Sequence, residues 1–220
     1  MDQARLLETL EIFSARICHD LVGPVGAIAN GVELLAEGGG AADPEVVELI
    51  AGSARSASRR LQFFRTAFGA GNTVSGAQPL DGARGLATAY FADGKLRLNW
   101  PPASASVDAQ CDRRAARLVL NMLLVAADCL PRGGVLDVSA APDPAGGVAI
   151  VVTAEGIQAR LPDDQADVLG PSRSIDAPPP TPRAMPAWLC RSLVAQAAGT
   201  LSVDARPAAV VLSLRLPAGG

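Results

Sequence analysis

With 220 residues the chain has room for one or two domains. Apolar residues, at 49% of the total, suffice for real cores, although aromatics supply only 4%. A net charge of −3 and a pI near 5.2 argue against nucleic acid as a partner, which would require a basic face. Cys18, Cys111, Cys129 and Cys190 are far apart and lack CxxC spacing, so they read as small reduced core residues of a cytoplasmic protein. Asp2, Arg5, Glu8 and Glu11 crowd the N-terminus, so no signal peptide is expected. No uninterrupted apolar run approaches about 18 residues, and no membrane span is expected.

The first predicted element is a helix from Gln3 to Glu37, stopped by Gly38-Gly39-Gly40. At about 100° per residue, Leu6, Leu10, Phe13, Ile17, Leu21, Pro24, Ile28 and Leu35 form one apolar stripe. Asp43 then offers an N-cap with Pro44 at the first helical position, opening a second helix to about Phe68. Gly69 to Pro79 is a turn-rich linker. Residues 1–70 therefore form an antiparallel helical hairpin, and residues 78–220 a second unit. Two helices cannot enclose a core, so the hairpin is expected to pair with a second copy as a dimeric four-helix bundle.

The remainder alternates helix and strand. A helix is predicted over Asp81 to Phe91, a strand over Lys95 to Trp100, and a helix from its Asp112 cap through Cys129. Strands follow at Val135–Val138 and Val148–Thr153. Leu161 to Pro182 is rich in proline and reads as a mobile loop. A helix near Ala187–Ala197 precedes strands at Thr200–Val203 and Ala209–Leu216. Helices on one face of a mixed sheet fit this order, an α+β class.

His19 is the only histidine. It lies roughly 160° from the centre of the first helix's apolar stripe, and so points away from the core. No second His and no nearby Cys or carboxylate set completes a metal site. A Cys18–His19 dyad fails because adjacent helical residues diverge by about 100°. What remains is chemistry needing one accessible imidazole as acid, base or nucleophile. Arg16 and Asp20 are spaced as an i, i+4 ion pair. Asp20 can also orient the imidazole, and Arg16, one turn back, is expected outward near a transferring group. Ala15, Val22, Gly26 and Ala29 gather within about 80° of His19 as a low apolar patch, a candidate docking floor. Asn30, about 16 Å along the axis, can serve recognition but not chemistry.

His19-Asp20-Leu21-x-x-Pro24 resembles the H-box of histidine kinases, and Asn121-Met-Leu-Leu-Val-Ala-Ala resembles their N-box. Ala198 to Val203 and Leu214 to Pro217 resemble the closing helix and hairpin of the kinase ATP-binding half. The departures matter as much as the matches. Val125 replaces the second N-box asparagine that holds magnesium in kinases. Ala154-Glu155-Gly156-Ile157 stands where an adenine-binding Asp-x-Gly-x-Gly is expected, and Pro186-Ala187-Trp188-Leu189 replaces the glycine-rich lid. A phosphate cradle needs bare backbone N–H groups, which proline removes and tryptophan crowds.

A kinase-like core with a good histidine and a ruined ATP site resembles the dimeric histidine phosphotransferases of the ChpT type. That resemblance implies a degenerate Bergerat-type α/β sandwich behind the bundle. It also implies phosphoryl relay between response-regulator receiver domains through His19, fed indirectly by a hybrid histidine kinase. Magnesium would come with the receiver, and this chain would hold no metal and no ATP. In kinases that also dephosphorylate, a Thr or Asn four places after the His aims a water; Gly23 cannot. The alternatives are an ATP-dependent kinase core and a non-catalytic scaffold binding a response regulator.

Overall fold

The computed structural model describes residues 3–37, 43–69 and 79–218. Helix α1 (Gln3–Glu37) and helix α2 (Pro44–Ala67) form the hairpin. Asp43 caps α2 by accepting from the Glu45 amide, with Pro44 at the first position, where a missing N–H costs nothing. Gly31 is placed where α1 and α2 touch: a Cβ there would lie 2.5 Å from Ile50 Cγ1. The Gly38–Gly40 stop and linker residues 70–78 lie outside the described residues.

The rest comprises α3 (Pro79–Tyr90), β1 (Leu96–Asn99), α4 (Ala105–Asp108), α5 (Arg113–Asp128), β2 (Gly134–Pro142) and β3 (Val148–Glu155). It continues with α6 (Asp163–Leu169), α7 (Met185–Gln196), β4 (Thr200–Arg206) and β5 (Ala209–Leu216). The sheet order is β1-β2-β3-β5-β4, with β1 parallel to β2 and every other pair antiparallel. Alternate residues of β3 (Val148, Ile150, Val152, Ala154) and β5 (Val210, Leu212, Leu214) are buried, as period-2 side chains facing one core require. Helix α5 lies on that face with Leu118, Met122 and Val125 fully buried.

One expectation needs correction. The 161–182 stretch contains α6 and is strapped down: Arg173 donates to the Pro178 carbonyl, Arg191 to those of Val168 and Arg173, and Trp188 Nε1 to that of Ala177. Arginine forks satisfy carbonyls that proline-rich backbone cannot pair with itself. Helix α1 is long and apolar enough to cross a membrane by length and composition alone, a test that the core helix of a soluble protein also passes. Between Asp20 and Glu33 it carries no charge; its exposed positions there are Val22, Gly23, Val25, Ala29, Asn30 and Val32.

Hairpin and sheet domain meet through aromatic rings. All five phenylalanines and the single tyrosine join one cluster. Phe13 meets Phe68 at 5.3 Å between centroids, Phe64 stacks on Phe68 at 5.1 Å, and Phe63 packs on Tyr90 at 4.3 Å. A chain poor in aromatics has placed most of them at this joint. Such pairs add about 0.5–1.5 kcal/mol each beyond area burial.

Candidate functional site

His19 projects from the middle of α1 with 84% of its side chain exposed. Its Nδ1 lies 3.0 Å from Asp20 Oδ1. A carboxylate oxygen accepts, so in the neutral ring this contact fits the tautomer with its proton on Nδ1 and its lone pair on Nε2. The other Asp20 oxygen accepts from Arg16 Nε at 3.0 Å.

Arg16 departs from the sequence reading. Instead of standing outward beside His19, it is 9% exposed and donates through Nη1 to Asp128 Oδ2, at the end of α5, at 3.3 Å. The sheet domain packs on the flank of α1 that carries Arg16, so the side chain is received by Asp128 instead of solvent. Gln165, fully buried on α6, donates through Nε2 to the same Asp128 oxygen at 2.8 Å and to the Arg183 carbonyl at 3.1 Å. Burial alone would lower the Arg16 guanidinium, but Asp128 and Asp20 outweigh it and raise its pKa. Burial also raises the Asp128 carboxyl above its ordinary value, against the pull of Arg16 and Gln165.

An open cleft of about 450 Å³ adjoins the imidazole. Arg16, His19 and Asp20 form its α1 wall; Asp128, Asp164, Thr181, Pro182 and Arg183 form the other. Asp164 is held below the usual carboxylate range: burial pushes it up, yet hydrogen bonds from Arg183 and Thr181 prevail. Sequence reasoning missed this far wall. One signal was available, since Asp128 puts a negative charge at the C-terminal end of a helix, against the dipole.

The remaining candidates lie on the outward face. Ala15, Val22, Ala29 and Asn30 are exposed and Gly26 is half-buried; Val22, at 69%, is the most open of the large apolar residues on α1. A Cβ at Gly23 or Gly26 would meet nothing within 4 Å, so neither glycine is required by packing inside one chain.

Residues 80–209 match the histidine phosphotransferase C-terminal domain family. The chain is also 39% identical to the protein phosphotransferase ChpT of Brucella abortus (strain 2308), over 76% of this chain and 78% of that one. The chain belongs to the histidine phosphotransferase family. A solved bacterial phosphotransferase shares the fold at a TM-score of 0.75 and 33% identity, covering 95% of this chain and 96% of its own. The histidine kinase AdeS of Acinetobacter baumannii, 13% identical, aligns at a TM-score of 0.49 over 92% of this chain and 98% of its own.

In this phosphotransferase the N-box-like asparagine faces inward. Asn121 is fully buried, and its amide nitrogen donates to the Ala67 and Arg117 carbonyls, both at 2.8 Å. It ties α5 to the end of α2. Val125 is likewise sealed in the core.

Proposed function

We propose that the chain relays phosphoryl groups between receiver domains of response regulators through His19, without binding ATP. The observation that carries this reading is the divided imidazole: Nδ1 is bound to Asp20 and Nε2 is open to solvent. Neutral Nε2 attacks the phosphorus of a receiver's aspartyl phosphate in line. As the N–P bond forms, the P–O bond to the receiver breaks and its aspartate leaves as carboxylate. The ring becomes a phosphoimidazolium whose charge Asp20 offsets across the Nδ1–H bond. The reverse steps hand the group to a second receiver. Such transfers depend on positioning and charge neutralisation more than on covalent help. Magnesium belongs to the receiver, and a hybrid histidine kinase is the upstream source.

Ala15, Val22, Gly26 and Ala29 give the receiver a low apolar floor, and Asn30 a polar contact farther along. With Gly23 four places after His19, no side chain there aims a water at the phosphohistidine, which favours relay over hydrolysis. The residues in the N-box and lid positions do not fit a nucleotide. Asn121 is committed to backbone carbonyls, Val125 offers no ligand, and Trp188 is tied to the segment before it. Leu6, Leu10 and Leu61 leave half their surface open on one chain, which supports a homodimeric bundle. A cytoplasmic setting suits reduced cysteines.

The test is to mix purified protein with a phosphorylated receiver. Acid-labile, alkali-stable label is expected on the wild type and not on His19→Ala. Label acquired from ATP alone would overturn the nucleotide-independent reading.

A further inference from the structure

We infer that Asp128 and Gln165, both in the sheet domain, are positioning residues for the phosphoacceptor: acting through Arg16, they hold Asp20 so that His19 keeps its proton on Nδ1. This rests on the relay reading above and extends it to residues outside the hairpin.

The contacts form an unbroken line. Gln165 Nε2 reaches Asp128 Oδ2 at 2.8 Å, Arg16 Nη1 reaches the same oxygen at 3.3 Å, Arg16 Nε reaches Asp20 Oδ2 at 3.0 Å, and Asp20 Oδ1 meets His19 Nδ1 at 3.0 Å. Each member has its freedom removed by the next. Gln165 uses its amide nitrogen twice, on Asp128 and on the Arg183 carbonyl, which fixes the amide plane. Asp128 gives the guanidinium a second anchor, so its long stem cannot swing. Asp20 divides its oxygens, one to the cation and one to the imidazole.

The imidazole is the most exposed member, and among the described residues only that last bond selects its tautomer. The hydrogen bond made by one ring nitrogen decides which nitrogen is protonated. With Arg16 anchored only at Asp20, rotation of the arginine would draw the carboxylate off Nδ1. The lone pair would then shift part of the time from Nε2 to the hindered Nδ1. A plain domain-docking ion pair would explain the contacts but would leave the tautomer indifferent to them.

His19 is the only histidine, so a ring-15N-labelled sample gives one imidazole to observe. Long-range proton–nitrogen correlation of the full-length protein is expected to show Nδ1 protonated and Nε2 bare in the neutral ring. In Asp128→Asn the two nitrogens are expected to move toward a mixture, and phosphate capture from a phosphorylated receiver to slow about tenfold, as when a carboxylate orienting a functional histidine is lost. Arg16→Lys, whose single ammonium cannot hold both carboxylates in one geometry, is expected to behave alike and serves if Asp128→Asn fails to fold. Asp128→Glu should restore both readouts in part, and Asp137→Asn, on β2, should change neither. An unaltered wild-type tautomer in both Asp128→Asn and Arg16→Lys, with only melting affected, overturns the inference and leaves the relay standing. Failure of the wild type itself to take up phosphate overturns the relay, while the ring spectra still decide the positioning.

Discussion

Helices α1 and α5 are both amphipathic, yet they end in opposite states. Of the 35 residues of α1, only Thr9, Arg16 and Gly31 are buried, and two of those three are polar. Of the 16 residues of α5, eleven are buried, from Ala115 to Ala126. The sheet domain is complete within one chain. The hairpin is complete only at its lower end, where Phe13 and Phe68 meet the aromatic cluster. Its apolar Leu6, Leu10 and Leu61 stay open to solvent within one chain, as does Val22 on the face that carries His19.

The contrast can be broken most severely at the open stripe. Leu10→Glu with Leu61→Glu is expected to convert a particle of twice the chain mass into a monomer by light scattering, with the circular dichroism of the sheet domain retained. Wild-type monomer at all concentrations would remove the bundle. Next comes a matched truncation. Leu118→Ala, fully buried on α5, should cost about 2–5 kcal/mol in urea unfolding. Leu10→Ala should cost under about 1 kcal/mol in dilute, monomeric samples and more as concentration rises.

A smaller effect concerns Asp164. Its folded pKa is depressed, so its contribution is present above the unfolded value and is lost as pH falls through the folded one. Melting scans from pH 6 downward should show the wild type losing about 1 kcal/mol more than Asp164→Asn. The mildest probe is alkylation at pH 8. Cys18, contrary to the core position expected of all four cysteines, is exposed on α1, whereas burial pushes the thiols of Cys111 and Cys129 up to about 12 and raises that of Cys190 as well. One thiol of four should react in the native state, and rapid reaction of a second would mean that the sheet domain is looser than α5 implies.

Much of this was legible in residue order. The bounds of α1, the Asp43–Pro44 start of α2, the Asp112 cap and the strands at Val148–Thr153 and Ala209–Leu216 are local signals, and a single stripe sufficed to point His19 outward. What could not be read was whatever depends on a second surface. The wheel of α1 records one apolar face, so it could not show that Arg16 is received by Asp128 on its flank. The proline-rich segment hid α6, because its strapping arginines, Arg173 and Arg191, satisfy carbonyls through tertiary contacts that composition does not reveal. Asp164, Thr181 and Arg183 reach the cleft for the same reason.

The carboxamide of Asn121 has a consequence for anyone wishing to dissect the molecule. It serves the last turn of α2 from across the domain boundary, as Arg117 does for the Phe68 carbonyl. A fragment cut after residue 69 would leave those carbonyls without their donors and strip the rings of Phe63, Phe64 and Phe68 of their cover. The excised helices should fray from that tip and clump, so the phosphoacceptor is best handled on the intact polypeptide.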